Sequence, residues 1–401
     1  MLRRLESLIT LPRVRACALV LVGAYALSAI VWVATLNGLI DVFGQPLGGD
    51  FIIFHGASSL TLAGRPLTAY DPDALLAAQR AAAAGAPSGL IWCYPPTFQL
   101  LIAPLALLPL AAAYAAWLAA SFALYVALIR RLSDHRLALL IAFAFPGFFV
   151  AALQGQNGFL TTAVLGFGLM MLDRRPWLAG AILGLLVCKP QFGLMLPLLL
   201  IGTGRWRSVA GAALSGAGLM ALATAVFGLE AWEAFFKGLP AVSAALSNGQ
   251  IPWAKIPSTY VALAWLGVPK ALAYAVHGGF AVVVALVTLA AWRGSAPHSL
   301  KVGLAVLATL LVTPYAFNYD LVMLASPIAA VAEYGRRHPL PPGTVLAMVL
   351  AYISPNAFLG LAKASHVQLM PLALIVAFVA LARVAHAGKI AAPAPLALEP
   401  A

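Results

Sequence analysis

The stretch PPTFQLLIAPLALLP (95–109) decides how this chain is laid through a membrane. It is apolar enough for lipid, yet it opens on Pro95-Pro96, holds Pro104 and ends on Pro109, and proline removes helix donors. A helix that crosses a 30 Å hydrocarbon core needs about 20 residues. The run 96–109 falls short of that. It therefore reads as a segment that dips into one leaflet or lies on it.

The rest of the chain supplies the context for that choice. Of its 401 residues 63% are hydrophobic and only 9% charged, with a mean hydropathy of +0.96. A soluble protein carries about 25% charged residues, so this chain has too few to solvate a globular surface. Its apolar runs are continuous rather than alternating, which excludes a β-barrel and predicts an all-α polytopic membrane protein. Apart from 96–109, the runs fall near 16–36, 111–129, 137–152, 159–172, 177–188, 191–203, 208–227, 270–292, 300–313, 320–334, 343–354 and 367–384. The first, preceded by MLRRLESLITLPRVR, exceeds the 7–15 residues of a signal-peptide core and reads as an uncleaved span. No internal repeat is visible, and the tail AAPAPLALEPA (391–401) reads as disordered.

With 96–109 left out, twelve spans remain and both termini face the cytoplasm. Most of the 24 Lys and Arg then collect in inner loops, at 3–15, 130–136, 174–175, 205–207, 293–301, 336–337 and 383–389. Arg65, Arg80, Lys189, Lys237, Lys255, Lys270 and Lys363 stay outside. A full crossing at 96–109 would flip RRLSDHR, DRRPW, GRWR and YGRRH outward, against the positive-inside rule. The net charge of +12 is thus orientation, not a nucleic-acid footprint. The same topology sends GGDF, WCYPP, QGQNG, CKPQ, NGQIPWAKIPS, TPYAFNYD and SPNAFLGLAKASH to the outer face. That segregation predicts one outward-opening cavity, with Asp50, Lys189 and the turn 313–320 around it.

Several residues in these turns can carry chemistry. Asp50 follows Gly48-Gly49 and heads an amphipathic stretch whose apolar side would lie along the membrane; it is either a helix N-cap or a reactive carboxylate. YDPD (70–73) has a D-x-D spacing able to hold a divalent cation, but a Pro72 turn with Asp73 capping the next helix accounts for it fully. Lys189 in VCKPQF lies between short apolar runs, where a cation is either functional or snorkelling, and Pro190 breaks the helix beside Gln191. QGQNG (154–158) is either a plain turn or a set of amides, two glutamines including Gln156 and an asparagine, Asn157, suited to a hydroxyl-rich ligand. The segment 229–258 carries Trp232, Phe235, Phe236 and Trp253 in the manner of an interfacial belt, with Lys255 near lipid phosphates or merely at an interface. TPYAFNYD (313–320) brings Asn318, Tyr319 and Asp320 to a helix end, where Asp320 can cap. His366 closes AKASH on the same face. Cys17, Cys93 and Cys188 have neither metal spacing nor a paired framework. No P-loop, GxSxG, HExxH or Cys/His metal pattern appears.

In order along the chain, DFxxFhxAsxLxxAGRPLxxYDP, WCYPPTFQLLIAPLALLP, GQNGFLTTAVL, RRPWLAGAILGLLVCKPQ, KIPSTYVAL and TPYAFNYDLVML resemble glycosyltransferase family 87, over roughly residues 45–330. The family comprises polyprenyl-phosphate-mannose-dependent α-1,2-mannosyltransferases and relatives in the GT-C superfamily. The resemblance implies a GT-C-type bundle of about twelve transmembrane helices forming one domain (1–388), with outer loops at 37–95, where an amphipathic helix lies, and at 229–258. It implies an inverting transfer of mannose or a related sugar from a polyprenyl-phosphate donor to a lipid-linked or glycan acceptor. That reaction takes place on the periplasmic or exterior side of the inner (plasma) membrane, with no metal cofactor and no nucleic acid. Asp50 is then the catalytic base, and Lys189 and Lys255 face the donor's phosphate. His55, Tyr94, Gln156, Asn157, Gln191, Ser258, Asn318, Tyr319 and His366 are the substrate-binding candidates. Relatives carry histidine in the motif that reads YAFNYD here, so Asn318 or Tyr319 takes that neighbourhood. A transporter or flippase would place its ionisable groups near the midplane between repeated halves, and an envelope polymerase or ligase would carry arginines in a long outer loop. Neither pattern is present.

Overall fold

The computed structural model describes residues 1–86 and 91–387; the Ala/Pro tail expected to be disordered lies outside them. Helices α1 (Leu2–Glu6) and α2 (Leu11–Ala34) lead into a loop from which α3 (Phe51–Leu62), α4 (Pro72–Ala82) and α5 (Pro96–Ile102) fold together. Then come α6 (Leu110–Leu132), α7 (Arg136–Ala144), α8 (Pro146–Gln154), α9 (Gly158–Met171) and α10 (Pro176–Gly184). Helices α11 (Leu196–Gly202), α12 (Trp206–Phe227), α13 (Glu230–Ser247) and α14 (Thr259–Trp265) precede α15 (Lys270–Arg293) and α16 (His298–Val312). The chain closes with α17 (Ala325–Gly335), α18 (Thr344–Ser365) and α19 (Met370–Ala387).

Among the described residues six helices are long and apolar enough to cross a membrane: α2, α6, α12, α15, α18 and α19. The bent pair α7–α8 makes a seventh if it counts as one span. Its 58° bend falls at Pro146, which lacks the N–H to continue α7 and holds Phe145 in an extended conformation. The other apolar helices, including Gly158–Met171, Pro176–Cys188, Pro190–Gly202 and His298–Val312, have 10–17 residues.

The run 96–109 is also short. It forms α5 and a 3-10 turn at Ala103–Leu107, and its polar tethers run to protein. Ser58 Oγ donates to the Ile102 carbonyl at 2.8 Å, and Gln99 Nε2 donates to Thr61 Oγ1 and to the Pro66 carbonyl. A broken helix in this setting is tolerable because protein, not lipid, covers its backbone. One expectation changes here. Helix α3 does not lie with one face on the membrane; Phe51 to Ser58 are all buried, walled in by α4, α5 and the turn at 103–107. The amphipathic helix of this loop is α4, with Leu75 and Gln79 inward and Asp73 and Arg80 outward.

The main core surrounds α16, of which nearly every residue from Val302 to Leu311 is buried against α9, α17 and α19. A second apolar cluster joins Phe51, Phe54, Trp92, Tyr94, Phe98 and Tyr114. Helix α6 spans the distance between two chemically different ends. Near its start, Tyr114 and Trp117 donate to the carbonyls of Ala152 and Gly155. Beyond its last turn, Ser133 donates to Glu333, which also pairs with Arg336 and Arg337. Its 23 residues make a helix about 35 Å long at 1.5 Å per residue.

Candidate active site

The reactive end is built on two tight backbone turns that touch. Gly48 and Gly155 both have left-handed φ, +76° and +55°. A Cβ on Gly155 would stand 2.9 Å from the Gly48 carbonyl oxygen and 3.0 Å from the Tyr114 ring. Only glycine allows this approach and this φ together, and the contact sets the start of α3 beside the turn between α8 and α9.

Asp50 stands at the N-cap position of α3 but does not cap it. Its own backbone is helical, at φ −66° and ψ −13°, and its side chain makes no cap bond. The carboxylate turns instead to Gln156, whose Nε2 donates to Asp50 Oδ2 at 3.0 Å. The Gln156 Oε1 is occupied by the Tyr94 hydroxyl, which donates to it at 2.9 Å. That bond directs the amide's N–H side to the carboxylate. Tyr94 is held by Phe54 and Phe98, with ring centroids 5.4 and 4.6 Å away. Protein surrounds Asp50 while part of its surface stays open. Burial pushes its carboxyl above the ordinary carboxylate range, against the lowering pull of the Gln156 bond and the Lys255 charge.

Asp50 lines a cavity of about 880 Å³ with Lys255, Gln154, Gln250, Gln45 and Asp41. Two carboxylates therefore face this space, but they are not equivalent. Asp41 accepts from the Phe43 and Gln45 backbone N–H groups and from Trp32 Nε1, so its oxygens hold the loop together. Asp50 keeps acceptor capacity to spare. The Lys255 ammonium has no ion-pair partner among the described residues and is half-buried.

Lys189 lies elsewhere. It is buried in an ion pair with Asp320, Nζ to Oδ1 at 2.6 Å, and it also donates to Asn157 Oδ1 at 2.7 Å. The rings of Phe192 and Tyr319 flank its ammonium at 4.9 and 5.3 Å. The second oxygen of Asp320 accepts from the Phe317 N–H at 2.9 Å, so this acid pairs and shapes its own turn at once. Lys189, Asn157, Ser121 and Thr161 are the polar residues of a separate cavity of about 320 Å³, lined mostly by apolar side chains such as Phe98, Leu101, Trp117, Leu124 and Leu219. The single cavity expected from the sequence is thus two, parted at Gln156-Asn157. Gln156 faces Asp50, its neighbour Asn157 faces Lys189, and the 313–320 turn lines neither space.

The remaining candidates divide between this network and the scaffold. Asn318 and Tyr319 are buried, and Tyr319 stacks on Phe317 at 5.2 Å. His55 meets the Leu108 carbonyl through Nε2 at 3.0 Å and so ties α3 to the 96–109 segment, away from both cavities. Ser258 accepts from the Val261 N–H and caps α14. Gln191 is half-buried in the 3-10 turn after Lys189 and lines neither cavity. His366 is exposed at the end of α18. YDPD is a capped turn as expected, but the cap is Asp71, which accepts from the Asp73 and Ala74 N–H groups, while Asp73 lies within the first turn of α4. Gln154 and Gln250, from QGQNG and NGQIPWAKIPS, also line the Asp50 cavity, as does Asp41. Asp41 and Gln368, whose Nε2 donates to the carbonyls of Trp253, Ala254 and Ile256, lie in no motif read from the sequence.

An all-helical membrane protein with a half-open carboxylate at one polar end, facing a cation across a cavity, is the class these features define. The family model for glycosyltransferase family 87 matches residues 92–314, more than half of the chain, and the chain belongs to that family of membrane glycosyltransferases. Tyr94, Gln156, Asn157, Lys189 and Lys255 fall inside the matched range; Asp50 and Asp320 fall outside it. No curated protein and no solved structure matches the chain.

Proposed function

We propose that this glycosyltransferase moves a sugar from a polyprenyl-phosphate carrier to a lipid-linked or glycan acceptor at the outer leaflet, with inversion and with Asp50 as general base. One observation carries the proposal. A carboxylate with spare acceptor capacity and a cation without an ion-pair partner among the described residues line the same polar cavity, and Gln156, bonded to Asp50, is followed by Asn157 of a largely apolar cavity suited to a prenyl chain. Asp50 takes the proton of the acceptor hydroxyl while that oxygen bonds the anomeric carbon. The anomeric carbon–oxygen bond to phosphate breaks on the opposite face, and the phosphate leaves with the electron pair. Base assistance of this kind contributes about 10²–10⁴-fold. Burial holds the Asp50 carboxyl above its ordinary range, which makes its ionised form a stronger base. Lys255 meets the charge developing on the phosphate. Lys189, already neutralised by Asp320, fixes Asn157 and the wall between the cavities.

In this topology the twelve crossings are the six long helices, the bent α7–α8 pair, the shorter helices at 158–171, 176–188, 190–202 and 298–312, and the segment 318–335. The test is incubation of the purified protein in nanodiscs with a panel of polyprenyl-phosphate sugars, followed by mass analysis of the glycolipids. A new glycoside made by wild type and not by Asp50→Asn supports the reading. Movement of the carrier across the bilayer without any covalent product overturns it.

A further inference from the structure

A third cavity, of about 460 Å³, opens beside the polar one and is lined by Trp253, Trp265, Asn248, Lys363 and His366. Pro252 belongs to the walls of both, so the segment 250–255 is a partition. Gln250 and Lys255 line the Asp50 side, and Trp253 and Ala254 line the other. The volume lies within the 300–1,000 Å³ usual for small-molecule sites.

Its lining is that of a saccharide site. The indoles of Trp253 and Trp265 meet at 84° with centroids 6.1 Å apart, forming a corner of two apolar faces. The His366 ring stands at 87° to Trp265, 6.0 Å away. Sugar rings present apolar C–H faces and polar hydroxyl rims, and a corner of aromatic faces edged by amide, ammonium and imidazole complements both.

Two further features mark the pocket as built. His366 is the one non-glycine among the described residues with positive φ, at +56°. It occupies the helix C-terminal position where glycine is unstrained, so backbone energy is spent on keeping an imidazole there. Gln368 holds the partition in place by donating to the carbonyls of Trp253, Ala254 and Ile256, while its Oε1 accepts from the Met370 N–H.

We infer that this pocket binds a second sugar of the acceptor, so that the enzyme prefers an oligosaccharide over a single residue. The inference rests on the transferase reading for the word acceptor, but the binding itself does not require transfer. Its test is binding of a linear manno-oligosaccharide to the protein in nanodiscs, followed by saturation-transfer NMR and calorimetry. One arm uses the free sugar and the other the same sugar on a lipid anchor. Binding in either arm that is weakened roughly tenfold in Trp265→Ala supports the site. The second variant, His366→Gly, relieves the strained backbone and is expected to raise Tm while weakening binding, which separates a ligand role from a structural one. Absence of binding in both arms, or binding that neither variant changes, overturns the inference. Failure of Asp50→Asn to abolish transfer would instead overturn the base assignment and leave this pocket standing.

Discussion

At the scale of single residues, the difference between Asp41 and Asp50 shows how hydrogen bonding sorts two acids in one cavity. Three donors occupy Asp41, whereas Gln156 alone holds Asp50. Asp50→Asn should therefore fold, with Tm at or above wild type, because the buried charge that the fold disfavours is gone. It should lose about 10²–10⁴-fold in turnover, read from radiolabelled transfer. Loss of folding together with activity would identify Asp50 as structural. The acid limb of the pH–rate profile reports the same group. Since burial raises the carboxyl, activity should appear only as pH rises past the ordinary carboxylate range. Gln156→Leu removes a bond that lowers this pKa, so the limb should move to higher pH still. An unmoved limb would assign it to some other group.

Among elements, the buried pair joins the turn after α10 to the turn before α17 across 131 residues. Neither motif, VCKPQF nor TPYAFNYD, announces its partner. Lys189 was legible as anomalous in an apolar setting and Asp320 only as a helix cap, because pairing is a property of the packed bundle. Lys189→Met leaves Asp320 unpaired at full burial and should cost about 3–5 kcal/mol, measured by thermal unfolding in detergent. Adding Asp320→Asn should restore much of that loss. A double variant as unstable as the single one would place the cost in packing instead. The same limit on reading explains α3. Its apolar residues and its polar ones at His55 and Ser58 suggested a surface helix, yet the partners of both polar groups come from the 102–108 backbone, which folds over it.

For the whole molecule, the apolar runs were enough to give an all-helical membrane chain, in which the proline-rich run at 96–109 is one of several apolar helices shorter than the long spans. Span length was not legible to the same degree. Several runs end in 3-10 turns or kinks, such as Leu185–Cys188 after α10, because neighbouring helices cover the broken backbone and relax the demand for one unbroken rod. The convergence of GGDF, QGQNG and CKPQ on one end followed from charge sorting alone, whereas the wall dividing that end in two depends on contacts over long sequence distances. The topology can be checked with the chain's own three cysteines replaced by serine. In intact cells a membrane-impermeant maleimide should label Asp73→Cys and spare Arg174→Cys until the membrane is opened. Labelling in the reverse order would invert the molecule.

The partition at Gln156-Asn157 also has a kinetic meaning. If prenyl tail and growing glycan occupy separate chambers, the spent carrier departs sideways into lipid while the lengthened saccharide withdraws to water, and neither exit obstructs the other. Added polyprenyl phosphate should then compete with the donor and leave the apparent affinity for acceptor untouched. Competition against both would mean a shared doorway.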